Sequence, residues 1–339
     1  TFDKYNPFTI KGSPPAYLAD MLFETLLTAS LDETATGYGL LAEDVAVAPD
    51  FARTRQVWFS FAQPRGNREN ATAVGTGRLS DDDTALEDVQ IIFQQQPAVE
   101  SPIHFGSRLV FDAKGNLYVT TGERGLSSAE NPASQDLSNH LGKVLRLDAA
   151  TGRAASGNPF SDPEARPEIW SYGHRNPQGA SLAPDGIVWI HEHGPQGGDE
   201  VNLPQPGRNY GWPVITYGEQ YGGGKMGEGM SAKTGMEQPL HYWVPSIAPS
   251  GMAFVTSERY GKAWQGNLLV GALAGRHVAR LELASGKKLW EQNLGTIQKA
   301  SPVFADGKLY VGTENGAFFI IKPGPTGAQI LFRERVTRR

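Results

Sequence analysis

From residue 45 onward, apolar and polar residues alternate in short runs, and the runs come in pairs. LVFDAKGNLYVTTGE at residues 109–123 reads as an alternating strand, a turn over residues 112–116, and a second alternating strand. The same unit recurs as VAVAPDFARTRQVWFSFA from Val45, with its turn at Pro49 and Asp50, as ASLAPDGIVWIHEHG at 180–194, and as PVFADGKLYVGTENG at 302–316. A weaker copy, GMAFVTSERYGKAWQGNLLVGAL, lies at 251–273. Each copy runs strand, Asp/Gly turn, strand, then a glycine-containing loop. Copies recur at roughly 45 to 75 residues, an interval that suits blades of four short strands with long inserted loops. The pattern predicts an all-β chain built as a β-propeller. A β-sandwich of hairpins is the competing arrangement. The propeller is preferred because the unit repeats at least four times and no long helical pattern falls between copies.

Residues 1–43 do not share this pattern. Pro14 and Pro15 precede AYLADMLFETLLT, whose apolar spacing predicts one short amphipathic helix. The expected organisation is an N-terminal segment over 1–43, a propeller over 44–323 and a tail over 324–339.

Composition sharpens this picture. The chain has 339 residues, 39% hydrophobic and 20% charged, enough for a large core. Its 40 glycines and 23 prolines favour a loop-rich β protein. The net charge of -5, with no basic block, argues against a nucleic-acid partner. There is no cysteine, so neither disulfides nor thiolate metal sites arise. No apolar run is long enough to cross a bilayer as a helix.

Three loops carry dense polar chemistry. His104 and Glu123 flank the two ends of the 109–123 hairpin, and antiparallel pairing brings such ends together. A carboxylate there would fix the tautomer of a histidine base; an ordinary loop histidine gives the same spacing. In SYGHRNPQG, Arg175 and Asn176 sit in a turn set by Pro177 and Gly179. A guanidinium in that place suits an oxyanion or a quinone carbonyl, or it binds backbone carbonyls in the turn. In HEHGPQGGDEVNLPQPGRNYGWP, Gly194 and Pro195 lie among Glu192, Asp199 and Glu200. Main-chain oxygens with carboxylates nearby suit a hard cation such as calcium, although glycine-rich loops usually mean only turns. His191 and His193 alternate on a strand and do not form a two-histidine zinc site. The aromatics of YGWP and HYWVP, Trp243 among them, either stack on a flat ligand or pack the blades.

IHFGSRLVFDAKGNLYVTTGE, LGKVLRLD, YGHRNPQGASLAPDG, HEHGPQGGDEVNL, GRNYGWP and YWVPSIAPSGMAF occur in this order. Over residues 39–283 the chain therefore resembles the soluble quinoprotein sugar dehydrogenases, and more closely the aldose sugar dehydrogenases that use pyrroloquinoline quinone (PQQ). The resemblance implies a six-bladed β-propeller of four-stranded antiparallel blades with PQQ and calcium at the mouth of its channel. It implies His104 as base, Glu123 as its orienting acid, and Arg175 over the reactive carbonyl with Asn176 beside it. It implies calcium on the main-chain oxygens of Gly194 and Pro195, and Trp243 near the substrate. The implied reaction is oxidation of an aldose at C1 to a lactone, with PQQ passing electrons to an external acceptor. A monomer or homodimer in the periplasm or outside the cell is expected.

The chain departs from that pattern at its ends. Residues 1–43 resemble the N-terminal part of periplasmic peptide-binding proteins of ABC transporters. Residues 284–323 resemble the Trp-containing repeat of large quinoprotein and assembly-factor propellers. Where some members carry a PQQ-contacting lysine, this chain has Ala274, with Arg276 close by, and the family's paired-arginine loop is absent; Lys287, Lys288 and Lys299 offer positive charge nearby. The alternative reading is a non-catalytic propeller that binds a ligand or protein partner.

Overall fold

In the computed structural model, the paired runs of the sequence form the first two strands of successive sheets. The structure describes residues 42–128, 130–256, 262, 264–282, 284–295, 303–305, 307–313, 316–324 and 327–335. The helix expected over AYLADMLFETLLT lies outside them. The first sheet contains β1 (Asp44–Val47), β2 (Gln56–Gly66), β3 (Glu69–Leu79) and β4 (Leu86–Gln94). The second contains β5 (Gly106–Phe111), β6 (Asn116–Thr121), β7 (Lys143–Asp148) and β8 (Ile169–Tyr172). The third contains β9 (Pro177–Leu182), β10 (Val188–Glu192), β11 (Asp199–Asn202) and β12 (His241–Trp243). The fourth contains β13 (Pro249–Phe254), β14 (Leu268–Ala272), β15 (His277–Leu281) and β16 (Lys288–Asn293). The fifth contains β17 (Val303–Ala305), β18 (Lys308–Gly312), β19 (Ala317–Pro323) and β20 (Ala328–Arg335).

Each sheet is a meander in which every strand lies beside its neighbour in sequence. The described residues thus form five four-stranded sheets, against the six blades expected. The tail expected over 324–339 needs correction. Within it, Ala328–Arg335 is strand β20, paired antiparallel with β19. Nearly all of β20 is exposed, so its residues show no buried face from which to read a strand.

The chain divides into two compact units. One holds the first two sheets and residues 205–213; the other holds the remaining three sheets. In the first unit, Trp58, Val74 and Phe93 pack against Leu109, Phe111, Leu117, Val119, Leu145 and Ile169. Trp58 meets Phe111 edge-on at 4.9 Å between centroids. Polar ties stitch the same two sheets: Leu109 N–H donates to Asp44 Oδ2 at 2.8 Å, and Ser60 Oγ to the Ser107 carbonyl at 2.5 Å.

In the second unit, β14 is buried on both faces. Leu268 and Val270 join Trp189, Val201 and Trp243 on one side, while Leu269 joins Trp290, Val311 and Phe319 on the other. A strand covered on both faces reads as an unbroken apolar run, as LLVGA does.

Leu145 is fully buried in the first unit's core. Leu145→Ala is expected to cost about 2–5 kcal/mol of stability, read as a lowered denaturant midpoint with unchanged slope.

Candidate active site

The register of the second sheet sets where its loops meet. Gly106 pairs with Thr121, Thr121 with Lys143, and Lys143 with Tyr172. The start of β5, the end of β6, the start of β7 and the end of β8 therefore share one edge. His104 precedes β5, Glu123 follows β6, and Arg175 and Asn176 follow β8, so all four gather at that edge.

His104 Nδ1 lies 2.5 Å from Glu123 Oε1. The same carboxylate accepts the Gly125 N–H at 3.0 Å through Oε1 and the Ser127 N–H at 2.6 Å through Oε2. Burial works to raise the Glu123 carboxyl, but the His104 bond, the Ser127 N–H and the charges of His104 and Arg175 hold it below its ordinary range. An ionised carboxylate can only accept, so the bridging proton belongs to His104 Nδ1, and in the neutral ring the lone pair sits on Nε2.

Backbone contacts complete the corner. Glu123 N–H donates to the Arg175 carbonyl at 2.9 Å, and Gly122 N–H to the Phe105 carbonyl at 3.1 Å. A β-carbon on Gly122 would collide with the His104 carbonyl, so this close approach needs glycine. Asn176 Oδ1 accepts the Gly106 N–H at 3.3 Å. Its side chain thereby ties the Arg175 turn to the start of β5.

Arg175 is buried, its guanidinium carbon 5.3 Å from the centroid of the Trp212 ring. Beside it, His174 stacks on Tyr210 at 4.7 Å between centroids and pairs with Ser171 Oγ at 2.9 Å. Residues 205–213 are thus folded onto the end of β8. The indole Nε1 of Trp212 is buried without a hydrogen-bond partner among the described residues.

Two supports were not singled out from sequence. Ser127 supplies the N–H on Glu123, and its Oγ meets Ser134 Oγ at 2.7 Å. Lys143, fully buried, donates Nζ to the carbonyls of Ala133 at 3.2 Å, Ser134 at 3.1 Å and Leu141 at 2.5 Å. Burial pulls its ammonium down to about 7, with Asp136 opposing the shift. The only sequence signal for such a lysine is its place at the head of the apolar run KVLRLD.

The third sheet carries the other expected residues in the second unit. Gly194 and Pro195 follow β10, and Trp243 closes β12 opposite Asp199. Gly194 N–H donates to Asp199 Oδ1 at 3.0 Å. Asp199 Oδ2 accepts Ser246 Oγ and Ile247 N–H at 2.7 Å each and Ala248 N–H at 2.8 Å. Asp199 therefore serves as an internal brace for two loops. Glu192 and Glu200 face each other across β10 and β11 and share the Asn202 amide, at 3.0 Å to each. Burial, then the charge of Glu192, pushes Glu200 well above the carboxylate range.

Trp243 belongs to the buried core, and its carbonyl takes the Gly198 N–H at 2.8 Å. Tyr242, half exposed, stacks on Tyr217 at 3.7 Å. His191 is buried in β10 while His193 Nε2 meets the Pro249 carbonyl at 2.7 Å. Among the described residues no group of three or more His, Cys, Asp or Glu side chains gathers as a metal site.

Glu123 ionises more readily in the folded chain than in the unfolded one. The stability this contributes is full above the unfolded value near 4.5 and is lost as pH falls through the lower folded value. Thermal scans between about pH 3 and 7 should show the advantage of wild type over Glu123→Gln shrinking toward the acid end.

The model of the family described as glucose/sorbosone dehydrogenase matches residues 30–321. That span includes most of the 284–323 stretch that departs from the family's motifs. The aldose sugar dehydrogenase YliI of Escherichia coli is 41% identical over 302 residues, 87% of this chain and 79% of that protein. The apo crystal structure of the soluble aldose sugar dehydrogenase from E. coli has a TM-score of 0.72 at 38% identity, covering 86% of this chain and 82% of that one. The PQQ-bound aldose sugar dehydrogenase of Streptomyces coelicolor has a TM-score of 0.61 at 27% identity, covering 80% of this chain and 73% of that one. By sequence and by fold, the chain belongs to the glucose/sorbosone dehydrogenase family.

Proposed function

We propose that this protein is a PQQ- and calcium-dependent aldose dehydrogenase built as a six-bladed propeller. The observation that carries this reading is the His104–Glu123 pair at 2.5 Å, on the same sheet edge as Arg175 and Asn176. The residues present suit the cofactor. A buried guanidinium stands beside Trp212, whose indole N–H is buried without a partner among the described residues. Such donors match the carboxylates and carbonyls of PQQ. The tight 194–198 loop offers main-chain oxygens, the hard donors calcium takes. Within the first unit, Arg175 and Asn176 would hold the quinone; within the second, the carbonyls of Gly194 and Pro195 would hold calcium, with Trp243 on the same sheet.

His104 Nε2 takes the proton from the anomeric hydroxyl of the sugar. Glu123 keeps Nδ1 protonated and stabilises the imidazolium as it forms. Bound PQQ would supply an electron-poor quinone to accept the hydride from C1. The sugar would leave as its lactone, the electrons passing on to an external acceptor. Arg175 would hold the quinone and offset the negative charge it gains. The relatives' names supply the substrate class: YliI and the S. coelicolor protein are named as aldose sugar dehydrogenases.

Apo-protein supplied with PQQ and calcium should reduce a dye in the presence of glucose or another aldose, and chelating calcium should abolish this. His104→Ala should lower kcat by about 10²–10⁴-fold. Glu123→Gln should lower kcat far more than it lowers PQQ affinity; equal losses would make Glu123 structural. The departures near Ala274 favour one rival, a non-catalytic propeller. Tight PQQ binding without dye reduction, or no reduction at any PQQ concentration, would establish that rival instead.

A further inference from the structure

Arg124 is among the largest fully buried side chains of the molecule. Its hydrogen-bond acceptors are neutral oxygens on the segment that carries His104 and on a neighbouring strand. Nε donates to the Ile103 carbonyl at 2.8 Å. One terminal nitrogen donates to the Ser101 carbonyl and, at 2.5 Å, to Asn70 Oδ1 of β3. The other reaches the Asn70 carbonyl at 3.5 Å. The guanidinium carbon lies 3.6 Å from the centroid of the Phe105 ring. Ser101 Oγ returns a bond to the Arg124 carbonyl at 2.7 Å. The residues immediately before and after His104 are thus both held by one side chain.

His104 needs such restraint. Its φ is +56°, in the left-handed region that a β-substituted residue adopts only when its surroundings impose it. Arg124, at φ +62°, directly follows the carboxylate that holds the imidazole. We propose that Arg124 is the positioning residue of the base: Glu123 fixes the ring of His104, and Arg124 fixes the main chain that carries it. Two successive residues then control every freedom of the histidine, the torsions of its ring and the path of its backbone. Burial lowers the Arg124 guanidinium to about 10, against the charges of Glu43 and Glu123, so it stays cationic at neutral pH. A planar fork is required, because four acceptor oxygens and an aromatic face must be met at once. Lysine keeps the charge and cannot meet them.

The proposal rests on His104 being the base, and its test separates the two ideas. In nitrogen-15-labelled apo-protein, the proton on His104 Nδ1 should give a slowly exchanging resonance that is missing from His104→Asn. In Arg124→Lys and Arg124→Met, with dispersed amide spectra showing a folded chain, that resonance should broaden or vanish. In the PQQ- and calcium-loaded protein, kcat should fall at least about tenfold with KM within about twofold of wild type. A folded Arg124 variant that keeps the resonance and the turnover overturns the proposal. Should neither variant fold, Asn70→Ala removes one acceptor of the fork and is read the same way. Full dye reduction by His104→Asn would overturn the base assignment and this proposal with it; normal behaviour of the Arg124 variants alone would overturn only the clamp.

Discussion

The parity of an antiparallel meander governs this structure. When four strands run alternately up and down, the start of the first, the end of the second, the start of the third and the end of the fourth share one edge. In the second sheet that edge is the row Gly106, Thr121, Lys143 and Tyr172. Residues seventy positions apart, Gly106 and Asn176, meet there, the Asn176 amide oxygen taking the N–H of the residue that opens β5. The third sheet repeats the geometry with Gly194, Pro195 and Trp243 at its matching edge. Sheet register, set by core packing, thus decides where the reactive groups stand.

Buried charge at the edge is handled by hydrogen bonding to neutral groups as much as by ion pairing. Glu123 gathers two backbone N–H groups besides the imidazole. Lys143 and Arg124 spend their protons on carbonyl and amide oxygens. A buried ion without partners costs several kcal/mol, so each of these contacts offsets a desolvation penalty and fixes a loop at once. The cluster holds an imidazole with a defined tautomer in a corner that its own main chain would not choose.

Much of this was legible in the residues, and the remainder was hidden for identifiable reasons. Five paired runs announced five hairpins, and each became the first two strands of a sheet, because strand and turn chemistry are local. Hairpin geometry brought His104 and Glu123 to one rim without deciding between a paired base and an ordinary loop histidine; the 2.5 Å contact decides it. Third and fourth strands were harder to see. β20 is largely exposed and β12 has only three residues, so neither carries a clear alternation. Ser127 was missed because it acts through its backbone N–H, and Arg124 and Lys143 because they bond chiefly to main-chain oxygens; neither leaves a trace in side-chain spacing. Asp199 showed the opposite difficulty. It resembled a cation ligand in sequence, yet its two oxygens serve four donors from the loops around it.

That saturation of Asp199 bears on how the 194–198 loop meets a guest. The carboxylate joins the N–H of Gly194 to three donors of residues 246–248, and a further bond runs from Gly198 to Trp243. The loop is already set by these bonds, so under the calcium proposal an ion on its carbonyls would forfeit little chain entropy. Its affinity would then depend chiefly on stripping water from the ion, which would favour calcium over the more tightly hydrated magnesium.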